Sequence, residues 1–153
     1  MKKLIYLLFL LPLSFFTSCD KDDLSPFDMT LTLGGVTQTD NTFYAVAGED
    51  ITIESLSVNP VGGKNTALAN VMFYVDGMPI WSNPWENVNG ITFSTANLPV
   101  GNHTLGISGN LLQVDQSIQQ FAATYKLVLV ESEEDLPEGA PEVGSYSQTI
   151  SFN

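Results

Sequence analysis

Asn70-Val71-Met72-Phe73-Tyr74-Val75-Asp76-Gly77-Met78-Pro79-Ile80-Trp81 is the stretch that decides the fold class. Two apolar runs flank an Asp-Gly pair. Asp-Gly between such runs suits a two-residue type I′ hairpin, because both central residues need positive φ. The second run contains Pro79, which lacks a backbone N–H and is tolerated mainly at a sheet edge. Met78–Trp81 is therefore expected as an edge strand, shielded from further pairing.

The same grammar extends outward. The chain after residue 27 is rich in Val, Ile, Thr, Phe and Tyr, with Gly, Asn, Asp and Pro at intervals, and no long stretch carries a helical period. Strands are expected at Asp28–Leu33, Thr42–Val46, Asp50–Val58, Asn70–Val75, Met78–Trp81, Gly90–Ser94, Asn102–Ser108 and Ala122–Glu131. In the first of them Met29, Leu31 and Leu33 alternate with Thr30 and Thr32, the pattern of a half-buried strand. Leu98-Pro99-Val100-Gly101 has proline second and glycine fourth, which fits a type I turn opening the next strand. These features define an all-β chain.

Asn70 to Gly77, then Asn83-Pro84-Trp85, then Leu98-Pro99-Val100-Gly101-Asn102-His103-Thr104-Leu105 resembles bacterial immunoglobulin-like domains. Those domains often show a V-x-F-Y-V-D-G strand and turn, a Pro-aromatic step and an L-P-x-G-x-H-T-L corner. The likeness covers about Leu68 to Ser108. It departs after Leu105, where Gly106 to Asn110 leads into Leu111-Leu112-Gln113 and a longer last hairpin is expected. The resemblance implies an immunoglobulin-like β-sandwich of two antiparallel sheets over residues 28–131. It implies no catalytic activity, since this architecture serves many roles.

The front of the chain carries an address. Lys2-Lys3 precede a 13-residue apolar run, Leu4 to Phe16, and the small residues Thr17-Ser18 lead into Cys19. The run falls short of the roughly 20 residues a helix needs to cross a bilayer, and suits the hydrophobic region of a secretory signal over residues 1–18. Phe16-Thr17-Ser18-Cys19 resembles a bacterial lipobox, with Phe16 where leucine is usual. That resemblance implies cleavage before Cys19 and three acyl chains on it. Each buried methylene adds about 0.8 kcal/mol, so three chains anchor almost permanently. Asp20-Lys21-Asp22-Asp23 resembles the lipoprotein export signal of Bacteroidota, which implies the outer membrane and a face toward the cell exterior. Residues 19–27 then form the lipidated N-terminus and tether.

Composition narrows the partners. Loss of Lys2 and Lys3 with the leader takes the formal net charge from −12 to −14, and the chain has no arginine. Such a surface repels phosphate backbones, so nucleic acid is set aside. With Cys19 acylated no disulfide can form, and stability rests on packing. The expected membrane contact is the lipid on Cys19 alone.

Catalytic chemistry is poorly provided. His103 is the only histidine, and in the resembling domains the matching histidine is structural. No cluster of His or Cys has metal-ligand spacing, no glycine-rich phosphate cradle is present, and no cofactor is expected. The acids Glu131 to Glu142 read as a solvated linker over residues 132–144, with calcium the only cation they would suit. Aromatics offer more. Trp81 and Trp85, with Asn83 and Glu86 beside them, are the candidate ligand-binding residues, because exposed rings stack on sugars while amides and acids hold the edges.

Beyond the linker, Tyr146, Gln148, Ile150 and Phe152 alternate with Ser145, Ser147, Thr149 and Ser151. That pattern marks an extra strand over residues 145–153. It either folds onto its own domain or adds to the sheet edge of another protein. The expected function is a non-catalytic cell-surface lipoprotein displaying an immunoglobulin-like binding or adhesion module for a protein or glycan. The alternative is a glycan-binding lipoprotein that assists polysaccharide capture. Mass spectrometry of the protein extracted from bacterial membranes should find residues 1–18 removed and acyl chains on Cys19, and Cys19→Ser should leave the leader uncut.

Overall fold

The computed structural model describes residues 25–62, 65–84, 88–114 and 118–153. Cys19, Asp20, Lys21, Asp22 and Asp23 lie outside these residues, as do Trp85 and Glu86. The chain is all-β. Its strands are β1 (Phe27–Thr39), β2 (Thr42–Val46), β3 (Asp50–Pro60), β4 (Thr66–Val75), β5 (Met78–Pro84), β6 (Ile91–Ser94), β7 (Gly101–Gln113), β8 (Gln119–Val130) and β9 (Gly144–Phe152). Each strand expected from the sequence forms, and β1 and β7 run further than expected.

Alternation builds the core. On β1 the side chains of Phe27, Met29, Leu31 and Leu33 are fully buried while Asp28, Thr30 and Thr32 face outward. Val71, Phe73 and Val75 on β4, with Leu105, Ile107 and Leu111 on β7, supply the opposite wall. The outward side of β1 is a ladder of hydroxyls. Thr30 pairs with Thr149 at 2.8 Å, Thr32 with Ser147 at 2.8 Å, and the Ser151 hydroxyl donates to Asp28 at 2.6 Å.

The strands follow one hydrogen-bonded path, β5-β4-β7-β8-β2-β1-β3-β6, with β9 also on β1. The path curls into a nearly closed, barrel-like arrangement. β2 runs parallel to β8, whereas the other ladders are antiparallel. The shared element is β1. Its first part pairs with β3 and β9, and Thr37–Thr39 pairs with β2. The register against β9 shifts between Gly34 and Val36, and Gly35 takes a φ of +77°. A Cβ at Gly35 would lie 2.7 Å from the Asp50 carbonyl oxygen, so the crossing requires glycine for both conformation and space.

β9 pairs with β1 of its own chain from Phe27↔Phe152 to Val36↔Gly144. The Phe152 ring stacks on Phe27 at 4.4 Å and meets Phe121 edge-on at 6.4 Å. The segment thus folds back onto its own domain.

The turns differ in how they match expectation. Asp76 and Gly77 both have positive φ, +49° and +80°, as a type I′ hairpin requires. The other turn sits earlier than its proline suggests. The Leu98 N–H donates to the Thr95 carbonyl at 2.9 Å, which closes the turn over Thr95–Leu98, and Pro99 leads away from it.

Those two turns are tied together by His103. Its Nδ1 lies 2.6 Å from the Asp76 carboxylate and its Nε2 lies 2.7 Å from the Pro99 carbonyl oxygen. Both neighbours accept hydrogen bonds, so both ring nitrogens donate, which only the imidazolium can do. The Thr104 N–H also donates to Asp76, at 2.8 Å. Burial works hardest against the charge on His103, yet the Asp76 carboxylate and the Pro99 carbonyl outweigh it and raise the pKa above the ordinary 6.5. The His103 and Thr104 hydrogen bonds hold the Asp76 pKa below 3.8.

The pH dependence follows from these two directions. The His103 contribution is fully present below about pH 6.5 and is lost as pH rises through the raised folded-state value. The Asp76 contribution is present above about pH 3.8 and is lost as pH falls through the lowered one. His103→Gln should cost roughly 1–2 kcal/mol near pH 5, discounted because the Asp76 side chain is 46% exposed. Thermal melts across pH should show that cost shrinking above neutrality.

Candidate functional site

Trp81 does not stand free. A regular two-residue hairpin would set it opposite Met72, on the outer face. A register shift between Phe73 and Tyr74 instead pairs Phe73 with Trp81 and Met72 with Ser82. One extra residue on β5, next to Pro79, turns the indole inward. Its ring centroid lies 5.9 Å from that of Phe73, and the side chain is half-buried against the core. Asn83 falls on β5 opposite Val71. Trp81 therefore packs against Phe73, while the side chains of Asn83, Trp85 and Glu86 lie outside the described residues. β5 does lie at one end of the strand path, as its proline indicates.

The same shift helps open a groove on the outer face of β5, β4, β7 and β8. Register brings Ser82, Met72, Ser108 and Ala122 into one row and Asn70, Asn110 and Gln120 into the next. The groove encloses about 690 Å³ and is lined by these residues together with Val71, Gly109 and Phe121. Its space comes from short side chains. At Gly109 a Cβ would collide with the Asn70 carbonyl oxygen and lie 2.9 Å from the Phe121 ring. Only glycine allows β4 and β7 to approach this closely beside the β4 bulge between Leu68 and Asn70.

Asn70 has a structural duty here. Its Oδ1 accepts the Asn110 backbone N–H at 2.9 Å, which satisfies a donor beside the bulge. The Tyr74 side chain lies over Gly106 on the same outer face, since a Cβ at Gly106 would meet its Cβ at 3.6 Å and its ring at 3.7 Å. Its hydroxyl is 3.0 Å from Ser108 Oγ. This face therefore presents carboxamides, serine hydroxyls, a methionine and, adjoining them, an aromatic ring. Among the described residues no acid, histidine or lysine lines the groove. Such a surface can hydrogen-bond a neutral polar ligand.

Strand parity carried this information in the sequence. With Val71, Phe73 and Val75 inward, Asn70, Met72 and Tyr74 must face out.

Other chemistry is sparse. Among the described residues no group of three or more His, Cys, Asp or Glu side chains is placed to hold a metal ion. Glu133–Asp135 form a single 3-10 turn in which the Ser132 hydroxyl donates to Asp135 at 2.8 Å. Tyr125, 1% exposed, has a hydroxyl without a hydrogen-bond partner among the described residues, and burial pushes its pKa far up, so it stays neutral in the core. His103 lies at the hairpin end and is engaged on both ring nitrogens, with only 4% of its side chain exposed. The chain matches no protein-family model, no curated protein and no solved structure.

Proposed function

We propose that this chain is a non-catalytic lipoprotein, held in the outer membrane through Cys19 and facing the cell exterior. Its immunoglobulin-like module binds a neutral saccharide in the groove between Asn70 and Gln120. The observation that carries the ligand class is the groove's lining, which mixes amides and hydroxyls with apolar groups and has no ionisable side chain among the described residues. Sugars present hydroxyls that match such groups, and the apolar faces of their rings fit a thioether or a tyrosine. A phosphorylated or acidic ligand would meet no cation there among the described residues and would be repelled by the chain's net charge of −12.

The immunoglobulin-like part of the proposal has two supports. In chain order, β1-β3-β6 and β5-β4-β7-β8 correspond to the A-B-E and C′-C-F-G groups of that fold. The motif residues that carry the resemblance also meet in space, because Asp76 of the hairpin turn pairs with His103 of the corner. The location rests on the leader, Cys19 and Asp20-Lys21-Asp22-Asp23.

Titration calorimetry against a panel of neutral polysaccharides should detect binding that leaves the polymer length unchanged. Asn110→Ala with Gln120→Ala should weaken that binding at least about tenfold without moving the melting temperature appreciably. A panel that gives no heat, or a double variant that binds as tightly as the parent, would contradict the proposed site.

A further inference from the structure

β9 has a bare edge. It pairs with β1 on one side, and among the described residues no strand pairs with the other. An unpaired edge is a template for another strand, and proteins usually blunt it with proline, charge, shortness or a bulge. The other two ends of the strand system follow that practice. β5 contains Pro79, Pro84 and a register shift, and β6 has only four residues. β9 is nine residues long, Gly144-Ser145-Tyr146-Ser147-Gln148-Thr149-Ile150-Ser151-Phe152, with neither proline nor a charged residue. In a chain of net charge −12, an uncharged edge of that length is an exception that asks for a reason.

Gln148 at its centre supplies a second observation. Its Oε1 is buried and accepts no hydrogen bond from the described residues. A buried acceptor left alone costs about 1–3 kcal/mol, so native structures rarely keep one without a use.

We propose that β9 pairs edge to edge with β9 of a second copy of this chain, antiparallel about a two-fold axis at Gln148. The interaction is independent of the groove and of its ligand. The axis sets Gln148 opposite Gln148 of the second copy, where directly opposed side chains are neighbours, and turning each carboxamide outward from its buried position lets it exchange hydrogen bonds with the other. It sets Ser147 opposite Thr149 and Ser145 opposite Ser151 on the outer face, and Tyr146 opposite Ile150 on the inner face. Every pair is uncharged and self-complementary, as an isologous interface requires. The antiparallel sense also sends the acidic segments of the two copies, Glu131 to Glu142, to opposite ends of the joint. Parallel pairing would bring them together.

The test uses the full chain, coexpressed with two different affinity tags and extracted in detergent. Parent copies should copurify. Ser147→Lys with Thr149→Lys places like charges face to face across the axis and should reduce recovery at least about tenfold. Ser147→Lys with Thr149→Glu makes opposite charges face each other in the same register and should retain recovery. Melting temperatures of the variants report folding. If the doubly basic copy fails to fold, the mixed-charge variant is tested against Ser147→Glu with Thr149→Glu, which should pair less well with it than the mixed-charge variant pairs with itself. No copurification of parent copies, or equal recovery from all variants, would overturn the proposal, and the second result would mark shared micelles as the cause.

Discussion

The crossing of β1 from one group of strands to the other is the constraint on which the rest of this structure depends. One thirteen-residue strand pairs with β3, β9 and β2 in turn. A regular strand cannot do this, because its hydrogen bonds would keep it in one group. Gly35 breaks the regularity with a left-handed backbone angle while the Asp50 carbonyl sits where a side chain would begin. The crossing lets β2 lie parallel against β8 and so closes the core over Phe43, Tyr125 and Leu127. Burial of about two dozen apolar side chains then provides the driving force that no disulfide among these residues can replace.

The two outer faces that result are chemically different. On β1, β3 and β9 the exposed side is a hydroxyl ladder whose members bond to one another. On β5, β4, β7 and β8 the exposed side has carboxamides around a hollow. Around the hollow lie three backbone features: the β4 bulge, the close approach at Gly109 and the shift in β5. A ligand site of this kind is built as much by side chains that are missing as by those present. At the hairpin end, the charged pair of His103 and Asp76 fixes two turns against each other and leaves neither group free for other chemistry.

Much of the fold was legible in the sequence because its strands alternate cleanly and its turns contain Gly, Pro or Asp where the backbone demands them. Asp76-Gly77 is the clearest case. What could not be read were single-residue irregularities. The shift in β5 moves Trp81 from one face to the other, and nothing in Met78-Pro79-Ile80-Trp81 distinguishes the two outcomes except Pro79 itself. Gly34-Gly35 could equally have marked a turn, and only long-range pairing with β3 and β9 makes it a crossing. The groove residues were readable by parity on β4, but their neighbours on β7 and β8 become neighbours only through register. Pro99 drew the second turn to itself, whereas the hydrogen bond that closes it belongs to Thr95 and Leu98.

Denaturant unfolding of Gly35→Ala beside Gly48→Ala probes the crossing most directly. Both glycines have positive φ, +77° and +95°, but nothing lies within 4 Å of a Cβ at Gly48. The backbone strain is thus shared, and the steric block at the crossing belongs to Gly35 alone. Gly35→Ala should lose at least about 2 kcal/mol more stability than Gly48→Ala, a cost in the range of overpacking against fixed backbone. Equal losses in the two variants would contradict the dependence of the fold on that crossing.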